Sequence, residues 1–128
     1  MKLNEHVPAD TLLVRAYSAE GVTIGTERLA GPCLVAPQLL VRQLGARQVD
    51  DLTPDDLETA LSLSPQVILL GTGNRMRFAP AAVRAACAAR RIALESMDLG
   101  AACRTYNVLA QEGRAVAALL FPEPEHRS

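Results

Sequence analysis

The stretch ESMDLGAACRTYNVLAQEGR, residues 95–114, lies between two apolar runs and holds most of the side chains that could carry chemistry. Asp98 suits a helix N-cap, because its carboxylate can accept from the unpaired amides of a first turn. From Leu99 to Glu112 there is no proline, and Leu99, Ala102, Cys103, Tyr106, Leu109 and Ala110 recur at three- and four-residue spacing. That spacing defines one apolar face and predicts a helix. Gly113 is placed to end it as a left-handed C-cap. Gly100, Thr105 and Val108 weaken local propensity, so tertiary packing must hold the helix in place.

Four residues of this helix form a candidate site: Cys103, Arg104, Tyr106 and Asn107. A thiol near a first turn is favoured as thiolate by the helix dipole, and the neighbouring Arg104 adds positive field. Asn107 follows Cys103 by four residues on the same face, and a mid-helix Asn is unfavourable unless its amide bonds to something. The competing reading is a buried thiol, a solvated arginine and an Asn that fixes a neighbouring strand through its backbone.

Outward from the helix, Ile92–Ser96 and Val116–Phe121 read as strands. Upstream, Gln66–Leu70 suits a buried central strand, and an Ala/Arg-rich helix runs from Pro80, at its first position, to about Arg90. Thr53-Pro54-Asp55-Asp56 signals another helix start, ending before Pro65. The second half is therefore β-α-β-α-β, with a parallel first crossover. The first half is β-rich: Thr11–Ser18, Val22–Leu29, Cys33–Ala36 and Leu39–Leu44 read as strands, with a further fragment around Val49. The expectation is a single three-layer α/β domain over residues 1–128 with a mixed central sheet, and with residues 1–9 and 122–128 loose.

Gly71-Thr72-Gly73-Asn74-Arg75 follows the carboxyl end of the central strand, where open α/β sheets tend to place ligands. The glycines permit close backbone approach, and Arg75 and Arg77 could neutralise a small anion. The loop matches neither dinucleotide nor phosphate-loop patterns, so a tight turn with two solvated arginines is the plainer account. If the strands are parallel neighbours, Gly71, Thr72, Gly73, Asn74 and Arg75 face Asp98, Cys103, Arg104, Tyr106 and Asn107 across a shallow cleft.

Composition excludes several classes. A net charge of −1 and 3% aromatics argue against general nucleic-acid binding. No apolar run approaches the roughly 18 residues of a membrane-spanning helix, and the amino terminus carries no secretory signature. Insertion in a membrane is thus not expected, and a cytoplasmic location is. Cys33, Cys87 and Cys103 are widely spaced, and His6 and His126 lie near the ends, so neither a metal site nor a disulfide framework is indicated. No cofactor is implied.

The runs VILLGTGNRMRFAP (67–80) and RRIALESMDLGAACRTYNVLAQEGRAVAALLFP (90–122) resemble the Mth-type domain-of-unknown-function family. Its matching pieces are Gly71-Thr72-Gly73, Asp98, Ala102-Cys103, Thr105-Tyr106-Asn107 and Glu112-Gly113-Arg114. The resemblance implies a compact three-layer α/β fold and a bacterial type of member. Through the family's mitochondrial respiratory complex I assembly factor, it also implies a role in assembling a membrane enzyme by way of protein partners.

Two functions remain open. One is a non-enzymatic protein-binding or assembly-accessory domain, supported by the resemblance. The other is a small-molecule or anion-binding protein, extended to a thiol enzyme if Cys103 is the nucleophile. Self-association is a third, plainer expectation.

Overall fold

Val67–Gly71 and Val116–Leu120 are unbroken apolar runs, and such runs are stable only where a sheet is covered on both faces. A computed structural model describes residues 10–123 and places these two strands side by side at the centre. Expectations for residues 1–9 and 124–128, including His6 and His126, lie outside the described residues.

Eight strands and three α-helices follow one another among the described residues. Strands β1 (Val14–Ser18), β2 (Gly21–Ile24) and β3 (Glu27–Leu29) form a small antiparallel sheet. Strands β4 (Cys33–Ala36), β5 (Leu39–Val41), β6 (Val67–Gly71), β7 (Ala93–Met97) and β8 (Val116–Leu120) form the central sheet, in the order β5-β4-β8-β6-β7. β6 runs parallel to both β7 and β8, whereas β4 is antiparallel to β8 and to β5, so the sheet is mixed. Helix α1 (Glu58–Ser62), helix α2 (Ala81–Ala89) and helix α3 (Leu99–Gln111) complete the set.

Side-chain alternation along the central strands sorts the core into two halves. Leu34, Ile68, Leu70, Ala117 and Leu119 face one side, with Leu57 and Leu61 before and within α1 and Val83 and Cys87 of α2. Cys33, Val35, Leu69, Ala118 and Leu120 face the other, with the apolar stripe of α3 and with Val14, Val22 and Ile24 of the small sheet. The β6-α2-β7 crossover steps one way across the sheet and β7-α3-β8 steps back, so connections of one hand put the two helices on opposite faces. The result is three layers.

The ends of α3 follow its residues. The Asp98 carboxylate accepts from the Ala101 N–H at 2.8 Å. At the other end Gly113, at φ +76°, gives a Schellman closure: its N–H donates to the Ala110 carbonyl and that of Arg114 to the Leu109 carbonyl, both at 3.0 Å.

Several boundaries differ from expectation. Val22–Leu29 is two strands, because Gly25 at φ +60° turns the chain between them. The fragment at Val49 is a 3-10 turn (Val49–Asp51), which buries that single side chain without a strand partner. Leu39–Leu44 stops as a strand at Val41, and the Leu44 N–H donates instead to the Pro32 carbonyl. The Thr53 start is a 3-10 turn (Pro54–Leu57) with a capping box, continuing into α1. Pro80 is the N-cap of α2, not its first residue. Pro122 is buried and Glu123 half-buried, so that part of the expected loose tail is packed.

Candidate functional site

The glycine loop and the start of α3 meet at the carboxyl edge of β6 and β7. The Thr72 N–H donates to the Met97 carbonyl at 2.9 Å, and the Leu99 N–H donates to the Gly73 carbonyl at 2.7 Å. Beside this junction lies an open cleft of about 380 Å³, lined by Tyr17, Ser18, Ala19, Gly73, Asn74, Asp98, Leu99, Gly100 and Glu123. It occupies the position where consecutive crossovers leave on opposite faces of the sheet, a general location for ligand sites in α/β folds.

Of the ten residues expected to line a cleft, Gly73, Asn74 and Asp98 do so. Gly71 ends β6 beneath α3, and a Cβ there would stand 2.9 Å from the Ala102 Cβ and 3.4 Å from the Leu99 Cα. It is small so that the helix can approach the sheet. The Thr72 hydroxyl is fully buried and braces the loop, donating to the Arg75 carbonyl at 2.6 Å and accepting from the Arg77 N–H at 3.0 Å. Arg75 is exposed outside the cleft.

The helix residues have a different occupation. The Asn107 oxygen accepts from the Val14 N–H at 2.9 Å, and its amide donates to the Val14 carbonyl at 2.8 Å. It stands in for a neighbouring strand at the outer edge of β1. The Tyr106 hydroxyl donates to the Leu12 carbonyl at 2.8 Å, and burial raises its pKa. Arg104 donates to the Tyr17 hydroxyl at 2.6 Å, with the Tyr17 ring lying over Gly100. Cys103 is 1% exposed. Burial pushes its thiol up to about 12, and neighbouring Cys33 adds to the rise while Arg104 opposes it. Of the two readings of Cys103, the geometry fits the buried thiol: the apolar packing around it outweighs the arginine field.

Sequence reasoning missed Tyr17, Ser18, Ala19, Leu99, Gly100 and Glu123 as cleft walls. Tyr17 is the penultimate residue of an alternating strand just before a turn, which was the one available signal. Glu123 belongs to a proline-punctuated tail that gives none. Asp98 and Glu123 bring negative charge to the lining, Glu123 facing Arg77 at 3.9 Å, and Arg104 stands behind the Tyr17 hydroxyl at 2.6 Å. Among the described residues no group of His, Cys, Asp and Glu is placed to hold a metal ion.

This arrangement, a mixed five-stranded sheet with a small antiparallel sheet clasped to one helix, defines a three-layer α/β protein of the Mth938-like class. The chain belongs to the family described as protein of unknown function DUF498/DUF598, whose model matches residues 14–121. It is similar to NADH dehydrogenase [ubiquinone] 1 alpha subcomplex assembly factor 3 of Rattus norvegicus, with 35% identity over 114 residues, 87% of this chain and 60% of that protein. The chain therefore spans about three-fifths of that relative's length. Among solved structures it is similar to Xanthomonas campestris XCC1710, at 39% identity and a TM-score of 0.80, covering 100% of this chain and 98% of that one. It is also similar to a Bordetella pertussis protein described as a Mth938-like domain, at 26% identity and a TM-score of 0.77, covering 96% and 93% of the two chains.

Proposed function

We propose that this protein is a non-enzymatic, protein-binding accessory factor in the assembly of a respiratory membrane enzyme, acting from the cytoplasm of a bacterial cell. The observation that supports this most directly is the likeness to a named assembly factor across 87% of the chain, beside a family match over residues 14–121 that takes in both sheets and all three helices. The sealed Cys103 supports it from the other side, because a thiol at 1% exposure with a pKa near 12 is no nucleophile at neutral pH. Deleting the gene in its native host and resolving membrane complexes on native gels tests the reading. The expected result is a reduced amount of assembled NADH dehydrogenase, restored by the wild-type gene. An unchanged amount in the deletion strain counts against it.

The cleft favours a second reading, ligand binding at the Gly73–Asp98 junction. Its volume falls in the range of small-molecule sites. Asp98 beside the Tyr17 ring suits an amine or hydrogen-bonding ligand, while Glu123 already faces Arg77 at 3.9 Å. A fragment screen read by amide shifts at Gly73, Asn74 and Gly100 tests it, and an absence of shifts there would remove it.

A further inference from the structure

Between Gly71 and Leu94 the chain carries five arginines, Arg75, Arg77, Arg84, Arg90 and Arg91, and no acidic residue. The chain as a whole is slightly acidic at −1, so this segment is a local concentration of net positive charge in a chain whose remainder is net acidic. The structure lays it on the surface: Arg75, Arg84, Arg90 and Arg91 are exposed, as are Ala81, Ala82, Ala85, Ala88 and Ala89 of α2. Two of the charges are partly answered, Arg90 by Glu58 at 3.7 Å and Arg77 by Glu123 at 3.9 Å.

At the amino-terminal end of this strip stand two apolar side chains that the core does not use. Phe78 is 69% exposed and Met76 48%. They are two residues apart in a stretch without helix or strand, and Arg77 between them turns back toward Glu123. Met76 and Phe78 thus form a small outward tip flanked by Arg75. The described clefts are lined by residues outside 75–91. The strip is therefore an exposed surface of alanine, arginine and one apolar tip.

We infer that segment 75–91 is a peripheral attachment surface for anionic lipid bilayers, the arginines meeting headgroup charge while Phe78 and Met76 enter the interfacial layer. Charge complementarity argues for this occupant: clustered basic residues are drawn to anionic leaflets, and an aromatic tip adds shallow apolar burial without a spanning helix. A protein partner would need a pocket for Phe78 and acidic groups matched one by one, whereas a bilayer needs neither. Among the described residues no helix is long and apolar enough to cross a membrane.

Co-sedimentation of the purified full chain with vesicles tests the inference. Vesicles of 30% phosphatidylglycerol in phosphatidylcholine should retain the protein, pure phosphatidylcholine should not, and high salt should release it. Arg75→Glu with Arg91→Glu should weaken retention at least about tenfold, and Phe78→Ser roughly tenfold. Circular dichroism establishes that each variant is folded, and Arg15→Glu on the small sheet serves as a charge control expected to bind like wild type. Three results would overturn the proposal: no dependence on phosphatidylglycerol, an equal loss in the Arg15→Glu control, or retention indifferent to Phe78→Ser. The last would leave a non-selective polyanion patch. The assay needs no assembly phenotype, so its failure and that of the assembly reading are separate.

Discussion

Replacing Asn107 with alanine should be among the most damaging polar substitutions in this protein. The side chain satisfies both the N–H and the carbonyl of Val14, at 2.9 and 2.8 Å, on an edge of β1 that faces α3 rather than β2. Val14 is only 5% exposed, so water reaches those backbone groups poorly once the amide is gone. Each lost bond removes about 1 kcal/mol, and each backbone group left unpaired adds a desolvation cost, for a total of about 2–4 kcal/mol. For a domain of this size that corresponds to a fall in Tm on the order of 10 °C. Urea unfolding should show a lower midpoint with an unchanged slope, and hydrogen exchange should show the Val14 amide losing protection ahead of β2. Arg104→Ala, which removes only the exposed bond to Tyr17, should cost less than about 1 kcal/mol. A loss below about 0.5 kcal/mol for Asn107→Ala, or the reverse ranking of the two variants, refutes the claim that this amide holds the small sheet to the helix.

The remaining predictions concern the loop and the thiols. Gly71→Ala should destabilise by about 1–3 kcal/mol in urea, since its Cβ would meet Ala102 and Leu120 at 2.9 and 3.2 Å in a packed interior. Thr72→Val should cost about 1–3 kcal/mol and deprotect the Arg77 amide in hydrogen exchange, because the Arg77 N–H and the Arg75 carbonyl both lose the buried hydroxyl. Cys33 and Cys103 should resist alkylation at pH 8 until denaturant is added, burial having raised both thiols from 9.0 to about 12. With folded pKa values above the unfolded ones, their contribution to stability is intact below pH 9 and is lost as the pH rises toward 12. Denaturation midpoints should therefore fall between pH 9 and 11, and Cys33→Ala/Cys103→Ala should flatten that fall.

The second half of the chain was readable because its signals agree with one another. Asp98, the apolar stripe and Gly113 each mark helix α3, and the apolar runs of β6 and β8 announce strands covered on both faces. In the first half, Val22–Leu29 reads as one strand although its apolar residues, Val22, Ile24 and Leu29, change parity across Gly25, where the chain turns at φ +60°. The meeting of the glycine loop with the Asp98 cap followed from parallel neighbours. What the sequence could not tell was which polar side chains near that junction had backbone partners elsewhere. Val14 and Leu12 lie more than 90 residues from Asn107 and Tyr106, beyond any local pattern.

That long-range pairing changes what the polar residues of α3 are for. Gly100, Arg104 and Asn107 recur at four- and three-residue spacing and form one stripe, and each meets β1: Gly100 and Arg104 through Tyr17, Asn107 through Val14. The stripe is a seam between a helix and a sheet edge. The same strand then supplies Tyr17 and Ser18, which with Ala19 form one wall of the cleft. Arg104 and Asn107 therefore bear on the cleft indirectly, by setting where that wall stands, while Gly73, Asn74, Asp98, Leu99 and Gly100 border it themselves. Loosening the seam should move the wall without touching the opposite side. Hence Asn107→Ala should shift the amides of Tyr17–Ala19 in solution and leave those of Gly73 and Asn74 near their wild-type positions, a pattern that separates a positioning role from a direct one.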